Sequence, residues 1–218
     1  MNKIWLNKQG NKNCILYFNG WAEDENAVNH LDAGDFDICM FNDYNPISSI
    51  DEKLNEYSTI YLVAWSLGVW ASAKLLSQSQ IKITKAIALN GTQQPIDINQ
   101  GISPSVFKAT PDTWNKKNRN KFNIRIMGGR KQYAQLIKRL STREVENQKS
   151  ELSNILQEVS ANKTEDINFD CALIGNNDLI FTPANQFNYW NTRARIVETD
   201  VPHYPFAVFE TWNEIIGL

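Results

Sequence analysis

Histidine is scarce in this chain. Only His30 and His203 occur in 218 residues, and neither has a second soft ligand close by in the sequence, so the spacing of a metal site is missing. Cysteine is scarce too: Cys14, Cys39 and Cys171 are an odd number, each in or beside an apolar run. That points to buried free thiols in preference to bridges or metal ligands. No apolar run approaches the roughly 20 residues that a helix needs to span a bilayer, which argues against a membrane protein. The opening Met1-Asn2-Lys3-Ile4-Trp5-Leu6 turns polar at once and lacks the apolar centre of a secretory signal, so the expected location is the cytoplasm. Internal repeats and low-complexity segments are also missing. What is present is ordinary globular composition, 42% apolar and 11% aromatic, in a chain long enough for one sizeable core with a smaller insertion.

Net charge is small, −2, but it is unevenly spread. From Lys108 to Arg143 there are eleven basic residues against the single acid Asp112, which leaves eleven basic and 23 acidic residues elsewhere out of totals of 22 and 24. A basic island therefore sits in an acidic chain. Solvated helix faces would account for such a cluster. So would a surface that steers and selects an acidic partner, and segregation this strong gives that explanation more weight than an ordinary charge cluster would. Nucleic acid fits less well, because aromatics are not interleaved with the cations in a stacking pattern.

Along the chain, Cys14–Phe18, Phe36–Phe41, Thr59–Trp65 and Ala86–Leu89 read as short buried strands, each ended by turn-forming residues. Phe169–Gly175 and Ala194–Val197 continue the series. Helical spacing marks Val69–Leu76, the Tyr133, Leu136, Ile137, Leu140 set, the Leu152, Ile155, Leu156, Val159 set, and a closing segment Phe206–Ile216. Strands alternating with helices, interrupted once by a helical block, predict an α/β protein with a mostly parallel central sheet and an inserted helical lid. The expected division is a core over 1–105, a basic helical lid over 106–165 and a second part of the core over 166–218. Gly20 to Thr59 is too short for full helices on both sheet faces, so loops are expected there.

The segment Ala64-Trp65-Ser66-Leu67-Gly68 follows a strand and precedes a helix, with serine at its apex. Small residues at such a bend let the backbone fold tightly enough to expose the hydroxyl above the sheet, the arrangement of a serine nucleophile. Ala64 stands where glycine is usual, a change of one methyl. A serine nucleophile needs a base, an acid to orient it and donors for the oxyanion. His203, in the proline-stiffened Asp200-Val201-Pro202-His203-Tyr204-Pro205 loop, has the chain order required of the base, whereas His30 precedes the serine. Asp178, closing Gly175-Asn176-Asn177-Asp178 after an apolar strand, is the expected acid, with Asp170 and Asp200 as substitutes. Backbone amides of Leu67 and of Trp21, after Asn19-Gly20, are the expected oxyanion donors. Trp21 and Trp65 flank the serine and would wall an acyl-binding pocket. This chemistry needs no cofactor or metal.

Tyr17-Phe18-Asn19-Gly20-Trp21, Ala64-Trp65-Ser66-Leu67-Gly68-Val69, Leu173-Ile174-Gly175-Asn176-Asn177-Asp178 and His203-Tyr204-Pro205-Phe206 together resemble the α/β-hydrolase superfamily over nearly the whole chain. Within it the chain is most similar to the BioG type of pimeloyl-[acyl-carrier protein] methyl ester esterase. Many hydrolases have His-Gly where this chain has Asn19-Gly20. The resemblance implies a trimmed α/β-hydrolase fold and hydrolysis of the carrier-bound methyl ester to methanol and free acid, in biotin synthesis. It also implies that lid cations dock an acidic carrier protein, with Arg119, Arg125, Arg130, Arg139 and Arg143 as candidates because arginine suits bidentate contacts. The rival readings are an esterase or thioesterase acting on another acyl group, and a binding protein that keeps the hydrolase shell without chemistry.

Overall fold

The computed structural model describes residues 1–50, 52–161 and 165–218. A sheet of seven strands forms its centre: β1 Asn2–Asn7, β2 Asn13–Phe18, β3 Phe36–Asn42, β4 Thr59–Trp65, β5 Lys85–Leu89, β6 Cys171–Asn177 and β7 Arg195–Pro202, in spatial order β1-β3-β2-β4-β5-β6-β7. All neighbours are parallel except β1 with β3. The middle strands are buried on both faces, which is why they read as continuous apolar runs. The edge strands β1 and β7 are partly exposed and mix polar with apolar residues. Asn2–Asn7, notable in the sequence only for lacking a signal pattern, sends Ile4 and Leu6 to one core layer and Trp5 to the other, the two-residue period of a strand.

Helices α1 Leu67–Leu76, α2 Pro104–Thr113, α3 Lys116–Ile126, α4 Arg130–Gln135, α5 Val145–Ala161, α6 Pro183–Trp190 and α7 Trp212–Ile216 complete the described elements with four 3-10 segments. One core layer packs Trp70 of α1, Leu152 and Ile155 of α5, and Tyr189 and Trp190 of α6 on one sheet face. The opposite layer joins Trp212 and Ile215 of α7 to Ala27, Val28 and Leu31 from the segment after β2. Between β2 and β4 the described chain holds only β3 and 3-10 turns, in keeping with the shortness of that stretch. Cys14, Cys39 and Cys171 are buried and free, and no helix among the described residues is long and apolar enough to cross a membrane.

Two expected helices are broken. Phe206–Ile216 divides into a 3-10 turn, Phe206–Val208, and α7, because Phe209 is extended and Thr211 with Glu214 makes a capping box that starts a new helix. The Tyr133 to Leu140 stretch ends α4 at Gln135 and continues as a 3-10 turn, Ile137–Arg139. None of these residues is buried, so the packing that sustains a short helix in water is missing. Helices α2 to α5 all lie between β5 and β6, and residues 162–164 of the expected 106–165 lid lie outside the described residues.

Candidate active site

At the end of β4 the chain reverses into α1 through Ser66, which adopts φ 57° and ψ −127°. Such a conformation costs of order 1–3 kcal/mol for a residue with a side chain, and the surrounding packing must hold it. The Ser66 amide donates to the Leu89 carbonyl (3.0 Å), which pins the bend to β5. Gly68 lets the first turn of α1 lie directly on β2: a Cβ there would fall 2.2 Å from the Phe18 carbonyl oxygen.

Asp178 and His203 arrive from the ends of β6 and β7. Asp178 ends the turn after β6, its amide donating to the Gly175 carbonyl (3.1 Å), and His203 immediately follows β7. Nδ1 of His203 lies 2.8 Å from Oδ2 of Asp178, and Nε2 lies 2.9 Å from Oγ of Ser66. A carboxylate oxygen only accepts, so Nδ1 carries the hydrogen and Nε2 is left to accept from the serine hydroxyl. All three side chains are buried. An imidazole bridged in this way can take the hydroxyl proton while the carboxylate fixes its tautomer. The structure thus brings Ser66, His203 and Asp178 into one hydrogen-bonded line. Asp170 instead accepts from the Ala86 amide, Asp200 from Asn177, and His30 faces the Phe206 carbonyl.

Two polar residues that sequence reasoning missed, Gln186 and Asn90, support this line, and a third, Gln148, holds the Trp21 loop. Gln186 of α6 donates to Oδ2 of Asp178 (3.0 Å), while Oδ1 accepts from the amides of Ile180 and Phe181. Asn90, at φ 46°, donates to the carbonyls of Pro202 and His203 and accepts from the Gly175 amide, which ties the acid and histidine loops together. The Trp65 indole also donates to the His203 carbonyl (2.9 Å). Gln148 of α5 accepts the Trp21 indole on its backbone carbonyl (2.8 Å). It shares a helix face with Leu152 and Ile155, so a polar residue within an apolar stripe was the available signal.

An apolar cavity opens over Ser66, lined among others by Trp21, Trp65, Phe107, Phe122 and Leu152, with Arg125 and the exposed Val106 and Leu179 also on its wall. The amides of Trp21 and Leu67 take no hydrogen bond among the described residues. Leu67 is the first residue of α1, where an amide has no partner within the helix. Glu23 lines the same cavity; burial and the neighbouring Asp24 carboxylate push it up to about 8, against the pull of Arg143.

The five arginines divide. Arg125 and Arg130 are exposed. Arg119 is half-buried and donates to the Arg143 carbonyl, and Arg139 donates to Asn29. Arg143 is 10% exposed and paired with Asp43 (3.0 Å) and Glu151 (2.9 Å).

The family described as pimeloyl-ACP methyl esterase BioG matches residues 1–215. The crystal structure of BioG from Haemophilus influenzae superposes with a TM-score of 0.92 at 33% identity, covering 99% of both chains. A malonyl-[acyl-carrier protein] O-methyltransferase from Bacteroides fragilis is 33% identical over 194 residues, which are 88% of this chain and 40% of that protein. The enol-lactonase of Burkholderia xenovorans, at 13% identity and a TM-score of 0.61 over 100% of this chain and 96% of its own, shares the α/β-hydrolase fold.

Proposed function

The chain belongs to the pimeloyl-ACP methyl esterase BioG family, and from that premise we propose that it is a serine carboxylesterase that hydrolyses the methyl ester of pimeloyl-[acyl-carrier protein] in biotin synthesis. The observation that carries this reading is the hydrogen-bonded line from Ser66 through His203 to Asp178 on a strained strand-to-helix bend. Ser66 attacks the ester carbonyl as His203 accepts its proton, and Asp178 stabilises the imidazolium. The amides of Leu67 and Trp21 receive the oxyanion. Collapse of the tetrahedral intermediate expels methanol, protonated by His203. Water deprotonated by the same histidine then attacks the acyl-enzyme, and the free carboxylate leaves.

The shape of the cavity supports a carrier-bound substrate. The reacting ester lies at the far end of an apolar chain whose other end is fixed to a protein, so that chain must cross an apolar channel while the carrier stays outside. The cavity over Ser66 has apolar walls, two exposed aliphatic side chains, Val106 and Leu179, and the cation Arg125. Lys121 and Arg125 also border a second groove outside it. The Bacteroides fragilis relative adds an argument: a protein named for methylating a carrier-bound acid contains a segment similar to this chain, and removing a methyl ester is the chemical complement of adding one. On this reading helices α2 to α5 form the lid, and its exposed cations receive the acidic carrier.

The test is hydrolysis of pimeloyl-[acyl-carrier protein] methyl ester by the native chain and by Ser66→Ala. The variant should lose at least about 10³-fold in kcat, as loss of a nucleophile does. Residual hydrolysis near the native rate would reject Ser66, and serine-dependent cleavage of the thioester in place of the methyl ester would reject the substrate.

A further inference from the structure

The donor Trp21 sits in a loop whose shape depends in part on a distant helix. Ala22, the next residue, has φ 70°, a left-handed conformation that a side-chain-bearing residue adopts only when its surroundings impose it. The restraint comes from the distant helix α5. Glu151 Oε2 accepts from the Ala22 amide (3.2 Å), and Gln148 Nε2 donates to the Ala22 carbonyl (2.9 Å). The Gln148 carbonyl accepts from the Trp21 indole (2.8 Å). Contacts from two successive turns of one helix therefore close on residues 21 and 22.

Both helix residues are themselves held. Gln148 and Glu151 are buried. Oε1 of Gln148 accepts from the Trp114 indole (3.3 Å), and Glu151 accepts from the Tyr44 amide (3.0 Å) and pairs with Arg143 (2.9 Å). On the other side, the Asn19 side chain accepts from the Gly20 amide and donates to the Asp24 carbonyl. The Gly20-Trp21 peptide is fixed from before and behind, and its second support belongs to the helical insertion.

We propose that Gln148 and Glu151 are positioning residues that aim the Trp21 amide at the oxyanion, so that α5 is a working part of the active site. The proposal rests on the oxyanion role assigned to Trp21 above. The insertion then has two roles, with α5 anchoring the oxyanion loop while α2 and α3 supply the cavity wall that substrate passes.

The experiment compares Gln148→Met and Glu151→Gln with the native chain and with Ser66→Ala, using a short-chain methyl ester. A trifluoromethyl ketone, which adds to Ser66 to form a charged tetrahedral adduct, serves as the transition-state probe. Loss of an aimed oxyanion donor lowers kcat by about 10²-fold or more. The expected result is that loss in kcat, KM within about threefold of native, and ketone affinity weakened by the same factor as kcat/KM. A role in packing alone would lower the melting temperature without moving ketone affinity in step with kcat/KM. Should Glu151→Gln fail to fold because it strands Arg143, the near-isosteric, uncharged Gln148→Met decides the matter alone. Native kcat and ketone affinity in Gln148→Met, with Ser66→Ala inactive, would overturn the positioning role and leave the esterase reading standing. An active Ser66→Ala would overturn both.

Discussion

Glu23 is a carboxylic acid nearly without water, 4% exposed on the wall of the cavity that holds Ser66. Burial, with Asp24 and Glu151 adding to it and Arg143 opposing, lifts it from an ordinary 4.5 to about 8. The folded chain therefore keeps a proton that the unfolded chain has released across that range. The favourable contribution is complete below about 4.5 and drains away as pH climbs to about 8, with a slope near 1.4 kcal/mol per pH unit for one proton. Glu23→Gln keeps the shape and cannot ionise. Urea unfolding at pH 5, 6.5 and 8 should show the variant losing this slope and becoming more stable than the native chain at pH 8. An unchanged slope would mean that Glu23 is ionised in the folded state. Single residues were unequally legible in the sequence. Ser66, Asp178 and His203 stand in strand-end motifs whose local chemistry announces them. Gln186, Asn90 and Glu151 act only through contacts with distant segments, which no local spacing records, and Gln148 leaves only the trace of a polar residue within an apolar stripe.

At the scale of elements, the bend from β4 to α1 depends on Gly68 more than on the position where this chain has Ala64. A Cβ on Gly68 would lie 2.2 Å from the Phe18 carbonyl oxygen and 2.7 Å from that of Asn19. Gly68→Ala must push α1 off β2, at about 2–3 kcal/mol, and shift the Asn19-Gly20-Trp21 loop with it. Ala64, fully buried within β4, is already accommodated, so Ala64→Gly should cost only about 0.5–1 kcal/mol through strand propensity. Guanidinium unfolding midpoints rank the two; an Ala64→Gly loss equal to that of Gly68→Ala would show that the methyl is a packing element. Elements were legible where burial is uniform. Strands β2 to β5 are covered on both faces and leave continuous apolar runs. Strand β1 is partly exposed, and its alternation is hidden by Asn2 and Lys3. The break before α7 has a sequence signal, Thr211 with Glu214 three residues later, which the apolar spacing of Phe206–Ile216 obscures.

Across the whole molecule, the carrier recognition proposed above rests on the exposed cations of the basic island. Arg143 is paired with Asp43 and Glu151, and Arg119 and Arg139 are bonded to the chain itself, whereas Arg125, Arg130 and Lys121 are exposed cations on α3 and α4, and Arg125 and Lys121 also border the groove outside the Ser66 cavity. Charges of one sign on an otherwise acidic protein raise the encounter rate with an acidic carrier by about 10- to 10³-fold at low salt. The advantage fades as the screening length shrinks from about 10 Å at 0.1 M to about 3 Å at 1 M. Two substrates separate this effect from catalysis. For the carrier-bound ester, kcat/KM should fall at least about tenfold as salt rises over that range, whereas a short free methyl ester, with no charge to steer, should be nearly indifferent. Charge reversal at Lys121 and Arg130, neither of which lines the Ser66 cavity, should mimic high salt: KM for the carrier-bound ester rises and the salt dependence flattens. If both substrates responded alike, the segregation of charge would be a property of folding or solubility, and the carrier would have to be recognised through the apolar mouth of the cavity alone.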